Sequence, residues 1–98
     1  MDGIYDLNFN TPMGKINGKI YLKERQNGVI EGSLELMGMK NILENGKYQN
    51  NRCYFTGNLK NKMLSINYSI AAELIGNVLN IYAKTNMGDF NFKANKIG

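Results

Sequence analysis

The sequence predicts an all-β protein: eight short antiparallel strands closing into an up-and-down β-barrel. Apolar and polar residues alternate with a period of two along nearly the whole chain, the signature of strands with one dry and one wet face. Turn-forming residues interrupt that alternation at regular intervals. The connections are too short for a crossover, so neighbours in sequence should be neighbours in space. Closing such a sheet on itself removes its exposed edges; a two-sheet sandwich is the alternative. With 98 residues the chain is one domain, 1–98, large enough for a single core.

The expected strands run in order as follows. Strand one, about 3–10, turns Tyr5, Leu7 and Phe9 inward against Asp6, Asn8 and Asn10. Pro12-Met13-Gly14 then reverses the chain into strand two, about 15–25, with Ile16, Gly18, Ile20 and Leu22 inward. Asn17-Gly18 is itself a hairpin dipeptide, but the chain has just turned, so strand two is read through it. Asn27-Gly28 leads to strand three, about 29–36, where Ile30, Gly32, Leu34 and Leu36 alternate with Glu31, Ser33 and Glu35. Met37-Gly38 precedes strand four, about 39–48, whose Asn45-Gly46 reads as a bulge or an extra turn. Gln49-Asn50-Asn51 leads to strand five, about 52–59, with Cys53, Phe55, Gly57 and Leu59 inward. Asn61-Lys62 opens strand six, about 63–71, with Leu64, Ile66, Tyr68 and Ile70 inward; Ser69 to Ile75 also accommodates one turn of helix. Gly76-Asn77 and Met87-Gly88 bracket strand seven, about 78–85 (Leu79, Ile81, Ala83), and strand eight, about 89–96, follows (Phe90, Phe92, Ala94).

Composition removes whole classes of chemistry. Histidine is absent, which excludes His-ligated metal and imidazole general-base catalysis. Cys53 is the single cysteine, so no intrachain disulfide exists, and no Lys shares its face to activate it. Neither paired carboxylates, nor a phosphate-binding Gly-rich loop, nor a metal-ligand cluster emerges. The expectation is a non-enzyme with no cofactor and no metal. No signal peptide follows Met1-Asp2-Gly3, and the apolar stretch near Ile70 is too short to span a bilayer, so a cytoplasmic protein is expected. The net charge of +4 comes mostly from Lys, ten of the twelve basic residues, and is mild enough to be a solubility feature.

Thr11-Pro12-Met13-Gly14-Lys15-Ile16-Asn17 repeats as Thr85-Asn86-Met87-Gly88-Asp89-Phe90-Asn91, a shared T-x-M-G-x-[IF]-N pattern. At the T-P-M-G element the chain resembles a family of small bacterial β-barrels with repeated T-P-M-G hairpins. These occur alone or as C-terminal modules of flavin-dependent, dienoyl-CoA-reductase-type oxidoreductases. The resemblance runs from Gly3 to Lys96. It departs at Asn58-Leu59-Lys60-Asn61-Lys62-Met63, where the family often carries a middle T-P-M-G and this chain keeps only the Met. It implies a calycin-like (streptavidin-like) barrel with no established chemistry and no catalytic residue.

In an up-and-down barrel the odd-numbered turns share one end. That gathers Met13, Met37, Met39, Met63 and Met87, with Lys15, Lys40, Lys60, Lys62 and Lys84, into a Met-Lys rim. Flexible thioethers either plug such an opening or adapt to a ligand. The inward set is almost wholly apolar and favours a filled core over a small cavity, with Gly18, Gly32 and Gly57 either kinking strands or leaving space. Three functions remain. The first is a module binding a small amphiphile, its apolar body in the barrel mouth and its anionic head on the Lys ring. The second is a protein-interaction or homo-oligomerisation module, for example docking to a flavoenzyme. The third, well behind, is a single-stranded nucleic-acid binder using Lys15, Lys19, Tyr21, Lys23, Tyr82, Lys84 and Lys93 on the outer wall.

Overall fold

The computed structural model describes residues 1–11, 14–36, 38–60 and 65–98. The strands are β1 (Gly3–Thr11), β2 (Gly14–Glu24), β3 (Ile30–Leu36), β4 (Met39–Leu43), β5 (Lys47–Gln49), β6 (Arg52–Lys60), β7 (Ser65–Ile75), β8 (Val78–Thr85) and β9 (Gly88–Lys96), with a short 3-10 turn at Gln26–Gly28. They form one antiparallel sheet in the order β4-β3-β2-β1-β9-β8-β7-β6-β5. The sheet curls until β4 approaches β6, so consecutive pieces of chain, β4 and β5, are its two end strands. Among the described residues no helix is long and apolar enough to cross a membrane.

Eight strands closing into a continuous barrel is therefore corrected to a curled sheet with a seam, nine-stranded among the described residues. The cause lies at Glu44-Asn45-Gly46. Asn45 takes a left-handed conformation (φ 54°), which an asparagine tolerates. Gly46 passes so close to β3 and β6 that a side chain there would run into the Ile30 carbonyl and, at 2.6 Å, the Phe55 ring. The chain thus steps sideways: β4 pairs with β3 (Gly32–Leu43 to Leu36–Met39), whereas β5 pairs with β6 (Lys47–Tyr54 to Gln49–Arg52). Asn45-Gly46 is the predicted irregularity, and it splits strand four in two.

Elsewhere the predicted facing holds among the residues whose side chains are described; Leu64, expected inward, lies outside the described residues. Tyr5, Leu7, Ile20, Leu22, Ile30, Leu43, Cys53, Phe55, Tyr68, Ala72, Leu79, Ile81 and Ala94 form the buried core. β2 runs straight through Asn17-Gly18, with Gly18 paired to Leu7 and Leu36. Ser69–Ile75 continues β7 as strand, paired with β6 through Glu73 and with β8 to the end, and forms no helical turn. The inner glycines leave no free space. A Cβ on Gly32 would lie 2.6 Å from the Phe55 ring, and one on Gly57 would lie 2.5 Å from the Tyr68 hydroxyl. Large neighbours from across the sheet occupy what these residues lack.

The end carrying the termini is packed shut. Tyr5 is fully buried and its hydroxyl donates to the Met1 carbonyl at 2.8 Å, while the Met1 amino group lies 3.1 Å from Glu24 Oε2. The Ile97 amide donates to the Ile4 carbonyl at 2.8 Å, and Arg25–Glu31 and Arg52–Glu73 pair at 2.8 Å on this same half. The opposite end carries the last residues of β1, β3, β6 and β8 and the first residues of β2, β4, β7 and β9.

Candidate ligand cavity and its rim

Period-two alternation sends every second residue of each strand into the interior, and there the packing is uneven. Towards the termini, Tyr5, Ile30, Phe55, Leu79, Cys53 and Ala94 are each no more than 2% exposed. Above them lies an apolar cavity of about 180 Å³. Its floor includes Leu22, Cys53, Phe55 and Leu79, and its walls include Leu34, Leu36, Leu59, Ile66, Ile70, Ala83 and Phe92. The expectation of a filled interior is corrected accordingly: large residues such as Tyr5, Phe55 and Leu79 close one half, while Ala83 leaves the other half short of side-chain volume. An apolar space of this size has room for a benzene-sized guest, as about 150 Å³ suffices elsewhere.

The polar members of the inner set are engaged. The Tyr68 hydroxyl accepts the Glu44 amide at 3.0 Å, reaching across the gap above Gly57 to the break between β4 and β5. Burial pushes the Cys53 thiol up to about 11, so it is protonated at neutral pH and unsuited to nucleophilic attack. Among the described residues no three His, Cys, Asp or Glu side chains are grouped to hold a metal ion.

At the mouth, Phe90 stacks on Phe92 with ring centroids 6.0 Å apart and planes within 8°, and Phe90 is 44% exposed. The turn between β8 and β9 is fixed by side-chain bonds. Thr85 Oγ1 accepts the Met87 amide at 3.0 Å and donates to the Gly88 carbonyl at 2.7 Å. Asn86 bonds back to β7, accepting the Asn67 amide at 2.9 Å and donating to the Ser65 carbonyl at 3.1 Å.

Of the rim residues, Met13, Met37, Met63 and Lys62 lie outside the described residues. Met39 and Met87 both sit at this end and are exposed. Lys15, Lys40, Lys60 and Lys84 come from β2, β4, β6 and β8 and are exposed, but every one occupies an outward register position. They surround the mouth from outside rather than lining it. Lys40 Nζ sits 5.2 Å from the centre of the Tyr21 ring on the outer wall. Lys15 and Lys60 face Asn10 and Ser65 in register, whereas Lys40 and Lys84 face Glu35 and Asp89.

The outer wall dilutes its own basic stripe. Lys19 lies in register between Asp6 and Glu35, and Lys23 beside Glu31. Acids interleaved at this spacing cancel the field a phosphate backbone needs.

One element of the site was not read from the sequence: the seam. Its bonds cluster at one level. The Ile30 amide donates to the Gly46 carbonyl at 3.2 Å, the Thr56 amide to the Glu44 carbonyl at 3.1 Å, and Asn45 Nδ2 to the Thr56 carbonyl at 2.8 Å. The Asn45-Gly46 dipeptide was its only signal in the sequence.

Compared with known proteins, the chain matches no family model, no curated protein and no solved structure.

Proposed function

We propose that this protein is a non-catalytic, calycin-like binding module that takes the apolar end of a small amphiphile into its interior and holds an anionic head at the Lys-bearing end. The observation that carries this reading is the apolar cavity of about 180 Å³ in the half of the molecule nearest the Met-Lys rim. Burying apolar ligand surface there is worth roughly 25 cal/mol per Å², or about 0.8 kcal/mol per methylene. The exposed lysines add up to about 1 kcal/mol per contact, screened by salt. The resemblance at Thr11-Pro12-Met13-Gly14 fits a barrel of this class without assigning it a reaction.

The test is a methyl-resolved NMR titration with sodium octanoate and, in parallel, octanol. Octanoate should shift the methyl signals of Leu34, Leu36, Leu59 and Ile66 and of Met39 and Met87. Salt should weaken that binding, and octanol should bind less well. Leu74 and Val78, at the opposite end, should stay in place. Unmoved cavity methyls across both titrations would contradict the reading.

A protein-docking function is the second reading. It draws on the outer groove lined by Ile4, Tyr21, Val29 and Ile42, where Ile42 is 74% exposed. Concentration-dependent shifts there without ligand would favour self-association.

A further inference from the structure

The seam has two different halves. Between the seam bonds and the terminal end, β5 fills the space beside β6 through Lys47–Tyr54 to Gln49–Arg52. Towards the mouth, β4 is paired only with β3, and the facing edge of β6, Gly57–Lys60, is paired only with β7. Two antiparallel edges therefore border a slot. They meet at the Thr56–Glu44 and Asn45–Thr56 bonds, and beyond them no ladder joins the two among the described residues. Leu43 on one edge and Leu59 on the other both line the cavity, so the slot leads into it. Near its open end it is flanked by Lys40 on β4 and Lys60 on β6. Lys15 and Lys84 stand on β2 and β8, away from the slot.

We infer that the slot between β4 and β6 is the lateral port of the cavity, through which an acyl chain passes with its carboxylate held between Lys60 and Lys40. This rests on the cavity-binding function proposed above and makes it specific. The cavity has room for about six carbons, judging from the benzene-sized guest of a comparable space. The remainder of a longer chain must leave the interior. Leu43 and Leu59 give such a passage apolar side walls against which a methylene chain can lie. Lys60 faces only Ser65 in register and is free of a neighbouring acid there. Lys40 rests over the Tyr21 ring and would swing from that exposed contact to the head group.

The experiment measures benzene and octanoate binding to the wild-type protein and to Lys60→Glu, Lys40→Glu, Lys15→Glu and Lys84→Glu. All four substitutions are at exposed positions and change net charge equally, so general attraction is matched across the set. Benzene, which has no head group, should bind all five proteins alike. Octanoate should bind at least about fivefold more weakly to Lys60→Glu, and to a smaller extent to Lys40→Glu, the size expected of one exposed ion contact. Lys15→Glu and Lys84→Glu should stay close to wild type. If all four weaken octanoate equally, or none does while benzene still binds, the slot is not the head-group site and the cavity function survives without it. If benzene fails to bind the wild-type protein, the cavity function falls and the port falls with it.

Discussion

Replacing Tyr68 by Phe removes one oxygen atom and nothing else, which makes it a direct probe of how the seam is held. The Tyr68 ring stays packed and its volume is nearly unchanged, so no cavity is created. What is lost is the acceptor for the Glu44 amide at 3.0 Å, at the point where β4 ends and the chain steps towards β6. The Thr56–Glu44 and Asn45–Thr56 bonds remain. A partly buried amide left without a partner costs about 1–2 kcal/mol, below the upper figure for full burial because water can reach it. For a domain of this length that corresponds to a fall in Tm of roughly 5–15 °C. Urea and thermal unfolding give the loss in stability, and amide hydrogen exchange gives its location. Glu44 should exchange faster in the variant, while amides of β8 should slow or quicken only with global stability. Wild-type stability together with unchanged Glu44 exchange would refute the idea that Tyr68 bolts the seam.

Further outcomes follow from the register and the burial of particular groups. Phe92 is half-buried and stacked on Phe90, so Phe92→Ala should cost about 2–4 kcal/mol, whereas exposed Lys93→Ala should stay within about 0.5 kcal/mol. Equal denaturation midpoints would reverse the assigned facing of β9. Burial raises the Cys53 thiol from an ordinary 9.0 to about 11. The unfolded thiol then ionises first, so its contribution is complete below pH 9 and is lost as pH rises towards 11, with a slope of about 1.4 kcal/mol per pH unit across that window. Cys53→Ala should flatten that alkaline decline, leaving a part due to Tyr5, whose hydroxyl is raised by burial and by the nearby Cys53, Asp2 and Glu24 charges. An identical pH slope in the variant would contradict this. Single-stranded DNA should show no salt-sensitive binding, because Asp6, Glu31 and Glu35 stand in register beside Lys19 and Lys23. A fluorescence-anisotropy titration at low salt checks it, and tight binding there would restore a nucleic-acid role.

The facing of β1–β3 and β6–β9 was legible because each strand keeps an alternation whose buried members, among the described residues, share one interior. Ile20 and Leu22 against Lys19 and Lys23 are an example. Strand four was harder because its alternation fails across Leu43-Glu44-Asn45-Gly46. A left-handed Asn followed by Gly fits both a bulge and a break, and only the pairing partners on either side decide between them. The glycines were ambiguous for a related reason. Their lack of a side chain reads as empty space, yet Phe55 lies over Gly32 and Tyr68 over Gly57, and those neighbours come from far along the chain. The cavity likewise depends on how volumes sum across strands, which no local pattern records. Turn parity placed Lys15, Lys40, Lys60 and Lys84 at one end. It could not show that Lys40 lies back over Tyr21 on the outer wall, since that contact joins β4 to β2 across β3.

The central claim is that the interior holds a dry, ligand-sized apolar space, and a crystal structure under xenon pressure tests it most directly. One strong xenon peak should appear inside the molecule, within van der Waals contact of Leu34, Ile66, Ile70 and Ala83. An interior filled to native packing density by side chains, or occupied by hydrogen-bonded water with no xenon, would contradict it.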